Sequence, residues 1–324
     1  MSERHRDGPE VVVICLPDVP ERHQVGELPA NVEVVLLPRQ PGPLPDLSRV
    51  ELPDLSRVEL LVPADGARQL VLAELGAMTR LRVVQTLSAG VDWLRGRVPA
   101  RVVVCNARGV YDGPVAEWVV GAILAMQRGL MTTRDAQLAA DWRPFVADEL
   151  AGLRAVILGY GSIGSAVAER LRPFGVEVVG VARTRREGAL GLDDLDEALP
   201  AADILIDLLP LAAETTGLLD ARRLGLLRPG ALLVNAGRGA TVDTPALVDA
   251  LRDGRLRAAL DVTDPEPLPP DHPLWRLPGV LISPHMAGDS RRSLARAYAL
   301  AGDQIRRFAA GERLENQVPP HLLA

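Results

Sequence analysis

The chain has 324 residues, 48% of them hydrophobic and 24% charged, with a formal net charge of −6. That length suits two compact units, each able to bury a sizeable core, and the acidic balance leaves no cationic surplus to neutralise phosphates, which argues against a nucleic-acid partner. The charged start, MSERHRDGPE, leads only into the short apolar run VVVICL, ended by Pro17; neither a secretory signal nor a membrane span is expected, and a cytoplasmic location follows by default.

Along the chain, short runs rich in Val, Leu and Ile alternate with longer segments rich in Ala, Leu and Arg. VVVICL, VEVVLL, LRVVQTL and VVVC come first, then AVILGY, VEVVGVA, DILIDLLP, ALLVNAG, AALDV and GVLISPH. Unbroken apolar runs separated by helical stretches predict parallel strands covered on both faces, an α/β fold. Cys15 and Cys105 sit inside such runs and read as buried thiols, with no role as disulfide, ligand or nucleophile. The octapeptide LPDLSRVE occupies residues 44–51 and again 52–59. Two copies of so short a period make no solenoid, so a duplication within a surface loop or a lengthened helix is expected. Residues 115–140 predict one long helix with an apolar face, broken by DWRPF, and residues 291–310 predict a closing helix that could pack back on the first hundred residues. The five histidines fall in no ligand-spaced cluster, so no metal is expected.

The most informative segment is AVILGYGSIGSAVAERL, where an apolar strand runs into Gly159-Tyr160-Gly161-Ser162-Ile163-Gly164 and at once into a helical pattern. Gly159 permits the tight turn, Gly161 lets backbone approach a pyrophosphate, and Gly164 lets helix and strand pack closely. The helix N-terminus adds unpaired N–H groups and a positive dipole, so the segment predicts a dinucleotide site. At the end of the next strand, where NAD sites carry Asp or Glu for the ribose hydroxyls, this chain has Ala182-Arg183-Thr184-Arg185-Arg186. Arg183, Thr184 and Arg185 are therefore candidates to grip a 2′-phosphate, which predicts NADP(H) over a still possible NAD(H). Three later strands each end just before a chemically useful side chain: Arg238 in LLVNAGRGATVD, Glu266 in ALDVTDPEPLP and His285 in VLISPHMAGDS. A cation, a carboxylate and an imidazole suit ketone reduction. The cation stabilises negative charge developing on oxygen, the protonated imidazole delivers a proton, and a neighbouring carboxylate orients an imidazole and favours its charged form.

On these residues the sequence resembles the D-isomer-specific 2-hydroxyacid dehydrogenases, over roughly residues 60–317. The resemblance rests on GYGSIG, LPLAAETTGLL (Leu209 to Leu219), NAGRGATVDTPALVDALRDGRL (Asn235 to Leu256), ALDVTDPEP (Ala259 to Pro267) and SPHMAG (Ser283 to Gly288). It implies two Rossmann-like or flavodoxin-like domains with parallel sheets and an active site in the interdomain cleft. A discontinuous substrate domain would comprise residues 1–105 and 287–324, and an NAD(P)-binding domain residues 106–286. It also implies that Arg238 binds and polarises the substrate, that Glu266 supports His285, and that His285 is the general acid/base. In TLSAGVDWL the amides of Ser88, Ala89 and Gly90 would hold the substrate carboxylate, small residues suiting an anion-binding backbone. Leu209, Pro210, Thr215, Ala236, Gly237, Asp261 and Gly288 join the glycine loop, the Arg183–Arg185 run, Arg238 and His285 as implied cofactor contacts.

The implied activity is reduction of a small 2-oxo acid such as glyoxylate or hydroxypyruvate to the D-2-hydroxy acid, by a cytoplasmic homodimer built on the helix after NARGVYDGPVAEWV. Trp93 and Tyr111 are candidates to line a larger pocket, although a lone aromatic is more often packing. Glu266 departs from the glutamine of formate dehydrogenases, and the regulatory domain of long phosphoglycerate dehydrogenases is not expected here. Gly279 stands where many members have Asn, and the first 60 residues, including PRQPGPLPD, match little. Two alternatives share the scaffold: a dinucleotide-sensing corepressor-like binding protein and a phosphite-oxidising enzyme.

Overall fold

The computed structural model describes residues 10–38, 52–64 and 67–323; the first LPDLSRVE copy and most of the Pro-rich run lie outside them. The chain divides into two compact units, Met1–Val110 with Ser290–Ala324, and Tyr111–Asp289. The crossings fall a few residues later than the sequence motifs place them, because the segment after Cys105 bonds back to its own unit. Asn106 N donates to Asn316 O at 3.1 Å and Ala107 N to Ser88 O at 3.0 Å.

In the first unit, β1 (Val12–Pro17), β2 (Val32–Leu37), β3 (Leu60–Leu61), β4 (Val83–Gln85) and β5 (Val103–Cys105) form a parallel sheet in the order β2-β1-β3-β4-β5. Every residue of β1 is buried, so its run is apolar without alternation. One core gathers Val13, Cys15, Leu61, Val84 and Val104 with Leu70 and Val71 of α1 (Arg68–Glu74). The terminal helix, Ser293–Ala309, buries Ala297, Tyr298, Ala301 and Ile305. It is tied to β4 by buried Gln304, whose Nε2 donates to Gln85 Oε1 at 3.0 Å. The second LPDLSRVE copy is not a free surface loop: Leu55 and Val58 are buried, and Glu59 pairs with Arg82 at 3.4 Å. Its apolar positions point inward because the segment leads directly into β3.

In the second unit, α2 (Asp112–Gln127) and α3 (Leu130–Leu138) precede β6 (Arg154–Leu158), α4 (Ser162–Leu171), β7 (Glu177–Val181), α5 (Leu195–Ala198) and β8 (Ile204–Asp207). Then follow α6 (Ala221–Leu226), β9 (Ala231–Asn235), α7 (Thr244–Arg252), β10 (Leu256–Leu260) and β11 (Val280–Ile282). The sheet is parallel throughout, in the order β11-β10-β9-β8-β6-β7. Alternate residues feed two cores: Val156, Leu158, Leu205 and Leu233 face one side, Ala155, Ile157, Ile206 and Val234 the other. The chain runs from β6 outward to β7 and returns on the opposite side at β8. A crevice therefore opens at the carboxyl ends of β6 and β8, the usual ligand position in such sheets.

The single helix expected over 115–140 is two helices. Gly129 adopts φ 62° and ends α2, which buries Val115, Ala116, Val119 and Ile123, whereas α3 buries nothing. Periodicity alone reads through a glycine that a helix tolerates; the Phe145 ring packed over Gly129, where a Cβ would come within 2.4 Å, holds the left-handed turn. Gly279 has φ 72°, a left-handed position suited to Gly or Asn, so its substitution for Asn has a simple backbone reason.

Candidate active site

At the end of β6, Gly159 turns with φ 83°, and a Cβ there would lie 2.7 Å from Leu208 O. A Cβ on Gly164 would lie 2.7 Å from Gly159 O, while one on Gly161 would meet open space. The three glycines thus divide as expected: two let backbone segments touch, and the middle one keeps a face clear for a ligand. The amides of Ser162, Ile163 and Gly164 precede the first intrahelical bond of α4, Ser165 N to Gly161 O at 2.9 Å, so they have no acceptor within the helix and form the donor end that suits an anion. The Tyr160 ring lies over Gly180, and its hydroxyl accepts from Arg172 at 3.1 Å. These features fit a dinucleotide pyrophosphate.

Beyond β7, Arg183, Thr184 and Arg185 are exposed. Arg183 faces Glu214 at 3.3 Å and Arg185 faces Asp194 at 2.5 Å. The local run lacks a carboxylate, but the tertiary structure brings two from other loops, which reading the run alone missed. The Arg183–Glu214 pair is exposed on both sides and correspondingly weak, whereas the Asp194 side chain is only 19% exposed and also accepts from the Gly191 amide at 2.7 Å. Arg186, not singled out beforehand, donates to the Tyr160 carbonyl and clamps the glycine loop from outside.

Strands β9, β10 and β11 are neighbours, so the segments following them share one edge of the sheet. After β9, Asn235 Oδ1 accepts from Gly237 N at 2.9 Å, its Nδ2 donates to Arg238 O at 3.0 Å, and Arg238 Nη1 donates to Gly237 O at 2.7 Å. A Cβ on Gly239 would lie 2.0 Å from Thr263 O, so this loop packs directly on the segment that leads to Glu266. Glu266 lies between two cis X-Pro bonds, and its Oε1 is 2.6 Å from His285 Nδ1. An ionised carboxylate only accepts, so Nδ1 carries the hydrogen and Nε2 is left for proton transfer.

His285 has φ 52°, an uncommon conformation for a non-glycine residue, and its amide donates to Asp261 O at 2.7 Å. Asp261, expected as a cofactor contact, is buried and braces the segment after β11. Its carboxylate accepts from Ser283 Oγ at 2.5 Å and from the amides of Met286 and Ala287, both at 2.8 Å. Thr215 is likewise turned inward: buried, it donates from Oγ1 to Pro210 O at 2.7 Å and accepts from Ala212 N at 2.8 Å, closing the loop that carries Leu209 and Pro210. Gly237 packs on Leu209, Ala236 is half-buried, and Gly288 lies against the Tyr111 ring. Among the described residues, no group of His, Cys, Asp and Glu could hold a metal ion, and no helix is long and apolar enough to cross a membrane.

In the first unit, the carbonyls of Ser88, Ala89 and Gly90 accept from Ala107 N, Asn106 Nδ2 and Ser88 Oγ at 3.0, 2.8 and 2.8 Å. Among the described residues, none of their three amides donates to the protein. A loop with its acceptors satisfied and its donors open is suited to an anion. Trp93 nearby is packing: Arg68 lies 5.7 Å over its ring, and it abuts the core of its unit.

The profile for the D-isomer specific 2-hydroxyacid dehydrogenase NAD binding domain matches residues 120–287. The chain belongs to the D-isomer specific 2-hydroxyacid dehydrogenase family. Like other members, it is an NAD(P)-dependent oxidoreductase with two parallel-sheet α/β domains. It is similar to a glyoxylate reductase of Aeropyrum pernix, 37% identical over 77% of this chain and 78% of that protein. A family dehydrogenase from Xanthobacter autotrophicus, solved with NADPH and MES, matches at TM-score 0.80 and 30% identity, covering 96% of this chain and 98% of that one. An NADPH-dependent glyoxylate/hydroxypyruvate reductase from Sinorhizobium meliloti, solved with NADP and sulfate, matches at 0.79 and 27%, covering 95% and 98%.

Proposed function

We propose that this 2-hydroxyacid dehydrogenase reduces a small 2-oxo acid of the glyoxylate or hydroxypyruvate class to the D-2-hydroxy acid, preferring NADPH. The observation that carries the reading is the Glu266–His285 pair at 2.6 Å, on the same sheet edge as the Arg238 loop. When bound, the dinucleotide supplies the hydride. Arg238 binds the substrate and stabilises charge on its ketone oxygen, and His285 Nε2 delivers the proton while Glu266 holds the imidazolium. The open amides of Ser88, Ala89 and Gly90 take the substrate carboxylate. The NADPH preference is supported by exposed Arg183, Thr184 and Arg185, and by relatives solved with NADPH and NADP.

The test is oxidation of NADPH and of NADH with glyoxylate, hydroxypyruvate and phenylpyruvate, for the wild type and His285→Ala. Turnover faster with NADPH and abolished in the variant supports the reading. Tight NADPH binding without turnover on any acid moves the assignment to a dinucleotide sensor, and equal efficiency with NADH removes the cofactor preference.

We further propose that the protein is a homodimer through residues 130–146. Large apolar side chains are exposed along this short stretch, with Trp142 95% and Val146 99% accessible, beside exposed Leu138 and Phe145. Light scattering tests this, and a monomer at micromolar concentration would refute it.

A further inference from the structure

The end of β8 carries an acid that the proposed reaction does not touch. Asp207 is fully buried, paired in the sheet with Leu158 of β6 and Asn235 of β9. Its Oδ1 accepts the Leu209 amide at 3.0 Å, and its Oδ2 lies 2.5 Å from Thr241 Oγ1. Thr241 is also fully buried, and the same Oγ1 lies 2.6 Å from the Arg238 carbonyl oxygen.

Counting hydrogens constrains this chain of oxygens. Two O···O contacts this short each need a hydrogen between them. The threonine hydroxyl has one and a carbonyl has none, so two separate hydrogen bonds at these contacts place the second hydrogen on Asp207. The bonds then run from Asp207 Oδ2–H to Thr241 Oγ1 and from Thr241 Oγ1–H to Arg238 O. With Asp207 ionised, Thr241 would turn its hydrogen to the carboxylate, leaving two bare oxygens facing each other at 2.6 Å. The Arg238 carbonyl would then lose the Thr241 hydroxyl and rest on Asn235 Nδ2 at 3.0 Å and the long bond from Thr241 N at 3.3 Å. The surroundings act in the same direction. Burial pushes the Asp207 carboxyl up to about 6 against the bonds from Thr241 and Leu209, and no charged side chain from β6, β9 or the segment after β9 contributes among the described residues.

We infer that Asp207 and Thr241 are positioning residues, a proton-bearing acid and its relay, which hold the Arg238 peptide in the geometry that aims its guanidinium at the substrate. The inference rests on the reading of Arg238 as the substrate-binding cation. Because Arg238 Nη1 is bonded to the carbonyl of the preceding residue, the aim of the side chain follows the set of that backbone. Loss of the proton from Asp207 loosens the Arg238 peptide, and substrate binding weakens before chemistry does.

The experiment measures KM and kcat for the best 2-oxo acid between about pH 5 and about pH 8 in wild type, Asp207→Asn, Thr241→Val and Thr241→Ser. An asparagine amide can donate to Thr241 and accept from Leu209 at every pH, so Asp207→Asn should abolish a rise in wild-type KM across this range. Thr241→Val should raise KM by about tenfold, the loss of one buried hydrogen bond, with a smaller change in kcat, and Thr241→Ser should restore it. In parallel, carbon NMR of aspartate-labelled protein, assigned by the signal missing in Asp207→Asn, reads the proton directly. A carboxyl still protonated where surface carboxylates have ionised supports the inference. A signal that titrates with them, or a KM ratio between Asp207→Asn and wild type that stays flat with pH, overturns it. If no 2-oxo acid is turned over, the reading of Arg238 fails, while the NMR titration still decides whether Asp207 holds the proton.

Discussion

Replacing Asp207 by Asn should change the pH dependence of stability, and the sign can be worked out. In the folded protein this carboxyl is raised from 3.8 to about 6, chiefly by burial. Between these values the native state holds a proton that the unfolded state has released, so wild-type stability is greatest below the window and falls as pH rises through it. A gap of about two units corresponds to about 3 kcal/mol. Asparagine cannot ionise and lacks this loss. The stability of Asp207→Asn relative to wild type should therefore rise by about 3 kcal/mol from about pH 4 to about pH 8, a gain in Tm of roughly 6–12 °C for a unit of this size. Differential scanning calorimetry of both proteins at closely spaced pH values is the assay. A Tm difference that does not vary with pH, or that favours the wild type more strongly as pH rises, would refute the reasoning.

Glu266→Gln keeps the shape of the His285 partner but removes its charge; kcat should fall by about 10²–10⁴-fold with little change in dinucleotide affinity, as checked by steady-state kinetics and NADPH fluorescence titration. Gly161→Ala places its Cβ in open space, so thermal stability should be retained while NADPH affinity drops. Gly159→Ala instead meets Leu208 O at 2.7 Å in a left-handed turn and should cost stability first, a contrast that a melting curve and a binding titration resolve together. Burial pushes the Cys15 thiol up to about 12 and the Cys105 thiol up to about 11, so neither should react with a disulfide reagent until the protein is denatured, as thiol counting with and without guanidinium will show.

Where local backbone rules govern, the sequence was a sound guide. The turn at Gly159, the tight packing at Gly164 and the clear face at Gly161 follow from chemistry within six consecutive residues. The parallel sheets were legible because strands buried on both faces need unbroken apolar runs. Periodicity was weaker at interruptions: it carried one helix through Gly129, where a distant Phe145 ring supports a turn. The second LPDLSRVE copy, expected in a surface loop or a lengthened helix, buries Leu55 and Val58 in a core.

Partners drawn from far along the chain belong to the tertiary structure. Motif spacing put Glu266 and His285 after adjacent strands, yet only the folded sheet shows the 2.6 Å bond that fixes the tautomer. Glu214 and Asp194 reach Arg183 and Arg185 from other loops, and Asp261 and Thr215, grouped by motif with the cofactor contacts, spend their polar atoms bracing the loops beneath. Asp207 in DILIDLLP reads as one more strand residue; that it is fully buried with a single hydroxyl between it and the Arg238 carbonyl depends on how β8 meets the loop after β9. Sequence alone determined the strands, the glycine turn and the types of reactive side chain, because propensity and steric limits act over a few residues. Which atoms share a proton, which charges pair and which acids are buried depend on through-space distances that no spacing along the chain encodes.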